Sequence, residues 1–188
     1  MLHSALTQAV KLGIISRNPA SNTMPPKEPT REMRILDESQ VSQLLISARD
    51  IYWEALLHLA VTTGMRQMEL LGLKWTDLDL IKQTLKLERQ LDRHRSEGVQ
   101  FTQPKTRFGR RTVALGTQSI EILRSHNKRQ HAERKDAGDR WQDHGLIFAT
   151  RNGTPIHPCN LLRDFKEFLH NAGLPEIRFH DLRHTAAS

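Results

Sequence analysis

The sequence predicts an α+β fold that is mainly α-helical and carries a small three-stranded antiparallel sheet. Long stretches with apolar residues at helical spacing, several of them with capping residues, predict the helices. Residues 84–88, 99–103 and 111–115 instead alternate apolar and polar side chains, which is typical of strands. With 37% hydrophobic and 26% charged residues, the 188-residue chain has enough apolar material for a core and lacks the composition of a disordered protein.

The helices are predicted from their apolar faces and from the residues at their ends. Asp37 and Gln40 have the spacing of a capping box, which opens a helix that runs to about residue 48. Residues 51–63 are apolar almost all the way round, which predicts a buried central helix that Gly64 ends. The other predicted helices cover residues 2–12, 65–71, 117–137 (with Thr117 as the cap), 158–172, and a last stretch that begins near His180.

Proline placement divides the chain into segments. Residues 14–34 contain four prolines, which cannot all lie inside a helix, and therefore predict a linker. The helix in residues 1–13 is interpreted as the remnant of a preceding domain. Residues 35–188 are interpreted as one compact domain that is truncated at its C-terminus.

The basic charge of the chain is concentrated in one stretch. The formal net charge is +7, and residues 82–111 hold nine basic and three acidic side chains. Such a patch is the electrostatic footprint of a polyanionic partner, although a solvated loop that aids solubility has the same composition. The single Cys159 excludes an internal disulfide framework and a cysteine-rich zinc site. No apolar run approaches the roughly 18 residues of a membrane span and no secretory pattern opens the chain, so we expect a soluble, cytoplasmic protein with no membrane partner.

Three short motifs contain candidate functional residues. Arg66 follows a glycine break at a helix start, with an acidic residue three positions later, a spacing that also suits an ordinary helix ion pair. Lys105 lies in a turn between two predicted strands, where a solvated lysine is the simpler interpretation. His180, Arg183 and His184 are spaced to share one face of a helix. The two histidines also have the spacing of zinc ligands, but the residue after the first one is aspartate, where the zinc motif has glutamate.

Taken together, these motifs resemble those of the tyrosine recombinase, or phage integrase, family. The matching segments are Thr-Gly-Met-Arg-x-x-Glu-Leu-Leu-Gly-Leu-x-Trp at 63–75, Pro-Lys-Thr at 104–106 with Arg111 after it, and His-Asp-Leu-Arg-His-Thr at 180–185. They follow the family's order and its usual separations over about residues 33–188. Residues 13–26 also resemble the junction between the core-binding and catalytic domains of that family. The resemblance therefore implies that residues 35–188 are a catalytic domain and that residues 1–13 belong to a core-binding domain.

The resemblance implies site-specific DNA recombination, in which a phosphodiester is transferred from double-stranded DNA to a protein tyrosine and back without a metal or cofactor. Arg66 and Arg183 would hold the phosphoryl oxygens, which gain negative charge in the transition state. Lys105 would protonate the leaving 5′-oxygen, and His180 would accept a proton or donate to a phosphoryl oxygen. The supporting and DNA-binding residues that the resemblance implies are Glu69 (expected to orient Arg66), His184, Arg107, Arg110 and Arg111.

The expected nucleophile is missing from these 188 residues. The family's nucleophilic tyrosine comes well after the His-x-x-Arg helix, whereas the one tyrosine here, Tyr52, lies in the predicted central helix, where a core aromatic is expected. The sequence is therefore interpreted as a fragment, unable to cleave DNA and monomeric alone, of a parent protein that is tetrameric on DNA. Two other interpretations stay open: a non-catalytic DNA-binding module related to integrases, and a metal-dependent hydrolase built on His180 and His184.

Overall fold

The chain divides into two compact units, residues 1–32 and residues 33–188. The structure is a computed structural model and describes residues 2–23, 34–94, 98–103 and 109–185. In the first unit, helix α1 (Leu2–Lys11) buries none of its residues. A short 3₁₀ turn follows at Pro19–Asn22, and the Asn18 side chain caps it while donating to the His3 carbonyl at 3.0 Å.

The second unit combines helices with short strands. In chain order its described elements are α2 (Glu38–Ser47), α3 (Glu54–Thr63), α4 (Gln67–Leu71), β1 (Leu78–Asp79), β2 (Thr84–Leu87), β3 (Gln90–His94), β4 (Gly98–Thr102), β5 (Arg111–Ala114), α5 (Thr117–Ala137), α6 (Pro158–Asn171) and α7 (Leu182–Thr185). Within the described ranges, no helix combines the length and the apolar character that a membrane crossing requires.

Helix α3 is the centre of the second unit. Its residues from Ala55 to Val61 are all buried, and it packs against α2, α4, α5 and α7. Because these residues cover the whole circumference of the helix, the predicted buried central helix is confirmed. The sequence predicts a start at residue 51, but the helix begins at Glu54, because residues 50–53 form a turn in which the backbone of Asp50 is left-handed (φ 60°).

The predicted three-stranded antiparallel sheet is present, but one of its strands is not the expected one. Strand β2 pairs on one side with β1 and on the other with β5, so that Leu85 lies opposite both Leu78 and Val113. The strand predicted at residues 99–103 is β4, and it pairs with β3 in a separate two-stranded ribbon. The sequence predicts a charged connection where β3 lies. A strand forms there because Leu91 is buried, at 1% exposure, where β3 packs against α4.

The predicted bounds of α5 are confirmed, but its cap and the start of the last helix differ from the prediction. The N-cap of α5 is Gly116, in an extended conformation, so Thr117 is the first helical residue rather than the cap. The last helix opens with a 3₁₀ turn at Phe179–Asp181, because the Asp181 carboxylate accepts the backbone N–H of Arg178 at 2.9 Å and tightens that turn. The capping box predicted for α2 is confirmed, with Asp37 as the N-cap.

Candidate active site

Arg66 lies in the turn that joins α3 to α4. Gly64 ends α3 in the left-handed region, at φ 59°, where a Cβ atom is disfavoured. Met65 is 2% exposed and anchors the turn in the core, and Arg66 occupies the N-cap position of α4 with an extended backbone. Its side chain is 54% exposed. The segment therefore ends one helix, anchors the turn and presents a guanidinium to solvent at the start of the next helix.

Glu69 binds Arg66 through both the side chain and the backbone. Its side chain is 2% exposed, Oε1 accepts a bond from Arg66 Nη1 at 2.9 Å, and Oε2 accepts one from the Arg66 backbone N–H at 2.9 Å. Burial by itself raises the pKa of this carboxyl, but hydrogen bonds from Arg111 and Arg66 outweigh burial and hold the pKa of Glu69 below its ordinary value. Glu69 is thus a buried, ionised anchor rather than half of an exposed helix ion pair.

A second guanidinium reaches the same carboxylate from the sheet. Arg111 is the first residue of β5 and lies opposite Leu87 in the pairing with β2. Its Nη2 is 3.0 Å from Glu69 Oε2, and its Nη1 is 3.4 Å from Oε1. The sequence assigns Arg111 to DNA contact, whereas the structure has its guanidinium bound to Glu69. Two guanidiniums on one carboxylate leave one net positive charge at this point of the surface.

Arg183, on α7, contacts the turn that carries Arg66. Its Nη1 donates to the Gly64 carbonyl at 2.7 Å, and α7 packs directly against α3. The two motifs are 119 residues apart in sequence, yet one guanidinium is bonded to a carbonyl only two residues before the other. The structure therefore brings Arg66 and Arg183 to the same turn.

His180 and His184 lie against each other. Their ring centroids are 5.5 Å apart with an angle of 77° between the planes, and His180 is exposed on the 3₁₀ turn before α7. The Arg183 guanidinium donates to the Gly64 carbonyl and the Arg66 guanidinium donates to Glu69. In the described part of the chain, neither arginine is hydrogen-bonded to His180. Over the part of the chain that the structure describes, no three His, Cys, Asp or Glu side chains come together where they could hold a metal ion.

The basic segment between β4 and β5 is only partly described. Lys105 and Arg107 lie outside the described residues. Arg110 is exposed just before β5, and its Nη2 donates to the side-chain oxygen of Gln103. Of the three arginines that the sequence assigns to DNA, Arg110 is therefore the one with an exposed guanidinium in the described part of the chain.

Tyr52 lies just before α3, not within it as the sequence predicts. Its hydroxyl donates to the backbone carbonyl of Ala149, and its ring packs edge-on against Trp53 at a centroid distance of 4.7 Å. Burial, reinforced by the nearby carboxylate of Glu133, raises the pKa of the Tyr52 hydroxyl well above its ordinary value. Its hydroxyl is thus engaged in holding the segment before α3 against the strand-like residues near 149.

One local motif recurs in the structure, and only its Arg66–Glu69 instance was recognised from the sequence. At three helix or 3₁₀ starts, a basic N-cap residue is followed three positions later by a buried acid whose carboxylate accepts the N–H of the N-cap residue. These pairs are Arg66 with Glu69, Lys74 with Asp77, and Arg178 with Asp181. Their spacing is that of a capping box with the first side chain exchanged for a cation, and this signal could have identified the other two pairs as well. In the third pair, burial alone raises the pKa of Asp181, but bonds from Arg178 lower it overall and fix the turn that precedes Arg183.

The family model of the phage integrase family matches residues 34–188 of the chain. A tyrosine recombinase XerC-like protein of Caldanaerobacter subterraneus subsp. tengcongensis is 31% identical over 100% of this chain and 52% of its own length. An integrase of Saccharopolyspora erythraea is 30% identical over 98% of this chain and 54% of its own length. The chain thus spans about half the length of the curated relatives it matches.

Solved integrase structures have the same fold. The Tn1549 transposon integrase, in complex with transposon right end DNA, superposes with a TM-score of 0.79 at 20% identity, over 98% of this chain and 62% of that one. A lambda integrase dimer bound to a COC' core site gives 0.62 at 21% identity, over 99% of this chain and 62% of that one. The family match covers the whole compact unit that carries Arg66, Glu69 and Arg183, and the chain therefore belongs to the phage integrase family of tyrosine recombinases.

Proposed function

We propose that this chain is the catalytic core of a site-specific DNA recombinase in which Arg66 and Arg183 bind the phosphate that is cleaved. One observation carries the proposal: the hydrogen bond from Arg183 Nη1 to the Gly64 carbonyl, at 2.7 Å, ties one guanidinium to the turn that presents the other. A guanidinium can grip two phosphodiester oxygens through parallel N–H donors, so two of them at one turn suit a phosphate of the DNA backbone.

In the proposed reaction, a tyrosine oxygen attacks the phosphorus and the 5′-oxygen of the DNA leaves. Arg66 would meet the negative charge on the phosphoryl oxygens with the N–H groups that do not contact Glu69. His180 would accept the tyrosine proton or donate to a phosphoryl oxygen, with His184 packed beside it as support. Lys105 would supply the proton that the leaving oxygen takes up. No metal ion and no cofactor take part in this scheme.

We assign no nucleophilic role to Tyr52. A nucleophilic hydroxyl has to be free to approach the phosphorus and to lose its proton, whereas the Tyr52 hydroxyl is bonded to the Ala149 carbonyl and has a raised pKa. The proposed nucleophile therefore lies outside these 188 residues. The 188-residue chain alone is expected to bind DNA without cleaving it.

Double-stranded DNA is the proposed partner. The net charge of +7, concentrated in residues 82–111, supports attraction to the phosphate backbone, and Arg110 offers an exposed guanidinium there. Binding by the 188-residue chain is expected to be weak and largely independent of DNA sequence. We also propose that the whole protein acts in the cytoplasm as a tetramer on DNA and that this chain alone is a monomer.

The salt dependence of duplex binding tests the proposed phosphate site. For each phosphate contact that is lost, the slope of log K against log salt concentration becomes shallower by about 0.9. We expect this change in Arg66→Ala and in Arg183→Ala. Arg49→Ala removes an exposed charge from the loop after α2 and serves as the control. Equal effects of all three changes would contradict the site, and stoichiometric zinc in the purified protein would favour the metal-dependent hydrolase instead.

A further inference from the structure

The Glu69 carboxylate is shared equally by two arginines. Oε1 accepts from Arg66 Nη1 at 2.9 Å and from Arg111 Nη1 at 3.4 Å. Oε2 accepts from the Arg66 backbone N–H at 2.9 Å and from Arg111 Nη2 at 3.0 Å. A carboxylate has about four lone-pair positions, and these bonds occupy all of them. Arg111 therefore supplies half of the hydrogen bonds that fix the carboxylate to which Arg66 is attached.

Little water reaches the carboxylate that Arg111 binds. The Glu69 side chain is 2% exposed, so the loss of both bonds from Arg111 leaves a buried charge with only its two bonds from Arg66. By contrast, the Arg66 side chain is 54% exposed and has many alternative rotamers available in solvent. The orientation of Arg66 thus depends on a carboxylate whose own orientation depends on Arg111.

The exposure of Arg111 and the use of its donors argue against a main role in DNA contact. Its side chain is 30% exposed, and both of its Nη groups point at Glu69. Its neighbour Arg110 is exposed and has only the neutral Gln103 side chain as its described partner. The two adjacent arginines therefore have different surroundings: Arg111 is bound to a buried carboxylate, and Arg110 is exposed to solvent.

We propose that Arg111 is a positioning residue that acts on the phosphate through Glu69 and Arg66, rather than a residue that contacts DNA. The inference rests on the proposed function of Arg66 as a phosphate ligand. It also gives β5 a role in the site, because β5 carries the residue that completes the hydrogen bonding of the Glu69 carboxylate.

The test compares Arg111→Met with Arg110→Met in the 188-residue chain, by two measurements. The first records the Arg66 guanidinium signals by nuclear magnetic resonance without DNA. We expect Arg111→Met to shift and average these signals, because Arg66 loses its fixed carboxylate, and Arg110→Met to leave them unchanged. Arg111→Lys should give an intermediate result, since lysine restores the charge but not two parallel bonds. If Arg111→Met fails to fold, the Arg111→Lys comparison still decides the matter.

The second measurement is duplex binding at several salt concentrations. We expect Arg111→Met to weaken binding about tenfold, because a misoriented Arg66 loses one charge-assisted hydrogen bond to the phosphate. The Arg66 charge stays at that phosphate, so the salt slope should become shallower by much less than the roughly 0.9 of a lost contact. In a Glu69→Gln background, Arg111→Met should weaken DNA binding by less than about twofold, because the carboxylate through which Arg111 acts on Arg66 is already absent. Arg110→Met should flatten the slope and stay additive with Glu69→Gln.

Unchanged Arg66 signals in Arg111→Met would overturn the proposal. So would a salt slope shallower by about 0.9 together with an effect that persists in Glu69→Gln, because that combination identifies a direct phosphate contact. If no form of the chain binds DNA, the proposed function fails instead. The Arg66 signals then decide the positioning role alone.

Discussion

Replacing Glu69 by glutamine tests how much the buried carboxylate contributes to the fold. Glutamine has nearly the same shape, but one of its terminal groups is an NH₂, which is a donor and would face the donors of Arg66 and Arg111. Each carboxylate oxygen accepts two of the four hydrogen bonds, so the substitution removes two of them whichever oxygen it replaces.

The expected loss of stability is about 2 kcal/mol. A hydrogen bond to a charged group contributes about 1.5–3 kcal/mol, so two lost bonds set an upper range of about 3–6 kcal/mol. The side chains of Arg66 and Arg111 are 54% and 30% exposed, and hydration of their freed donors offsets roughly half of this. Urea unfolding at pH 7, followed by tryptophan fluorescence, measures the difference.

The effect of the substitution also depends on pH, with a sign that follows from the pKa of Glu69. Because the folded-state pKa lies below the ordinary value of 4.5, the ionised carboxylate stabilises the fold above about pH 4.5, and this contribution is lost as the pH falls through the folded-state pKa. Glutamine does not titrate, so the stability difference between the two proteins should shrink as the pH falls below about 4.5.

The matched control is Glu88→Gln, whose carboxylate is 57% exposed and 3.5 Å from Arg89. It should change stability by less than about 0.5 kcal/mol, as is usual for exposed pairs. The reasoning is refuted if Glu69→Gln costs no more than this control, or if its cost stays constant down to the lowest pH at which both proteins remain folded.

Three glycine substitutions, all measured by urea unfolding, test the packing around the site. Gly72→Ala should destabilise the chain by about 1–3 kcal/mol, because the added Cβ would lie 2.9 Å from the backbone nitrogen of Leu91; stability within about 0.5 kcal/mol would refute the close approach of β3 to α4. Gly153→Ala should cost about 3 kcal/mol or more, since φ is +80° and the Cβ would collide with the Gln142 carbonyl oxygen; a tolerated alanine would show that this turn is not fixed. Gly116→Ser should stabilise the chain by a few tenths of a kcal/mol, since the N-cap of α5 has open space and no side-chain cap; a loss of stability would contradict that assignment.

The sequence predicts the local parts of this fold well because their causes are local. The capping box at Asp37 needs only residues three apart, and the buried helix α3 follows from an apolar run that Gly64 ends. The motifs around Arg66 and Arg183 could also be recognised from sequence, since each is contained within one turn and the start of one helix.

Contacts between distant segments could not be predicted in the same way. Glu69 and Arg111 are 42 residues apart, and their contact depends on the pairing of strands in the sheet. From the sequence alone, Arg111 is one basic residue among many in a basic stretch, and it is therefore assigned to DNA. Strand β3 was missed because Leu91 is flanked by polar residues, and its burial against α4 depends on the tertiary fold. The late start of α3 also depends on a tertiary contact, since residues 50–53 form a turn in which the Tyr52 hydroxyl donates to the distant Ala149 carbonyl.

The most direct test of the central claim is the formation of a covalent protein–DNA adduct by the full-length product of the gene, on a nicked duplex that carries the recombination site, in the presence of a metal chelator. We predict an adduct through a tyrosine outside these 188 residues, retained in Tyr52→Phe and reduced by about two orders of magnitude in Arg66→Ala and in Arg183→Ala. An adduct through Tyr52, or one that forms undiminished without Arg66, would contradict the account.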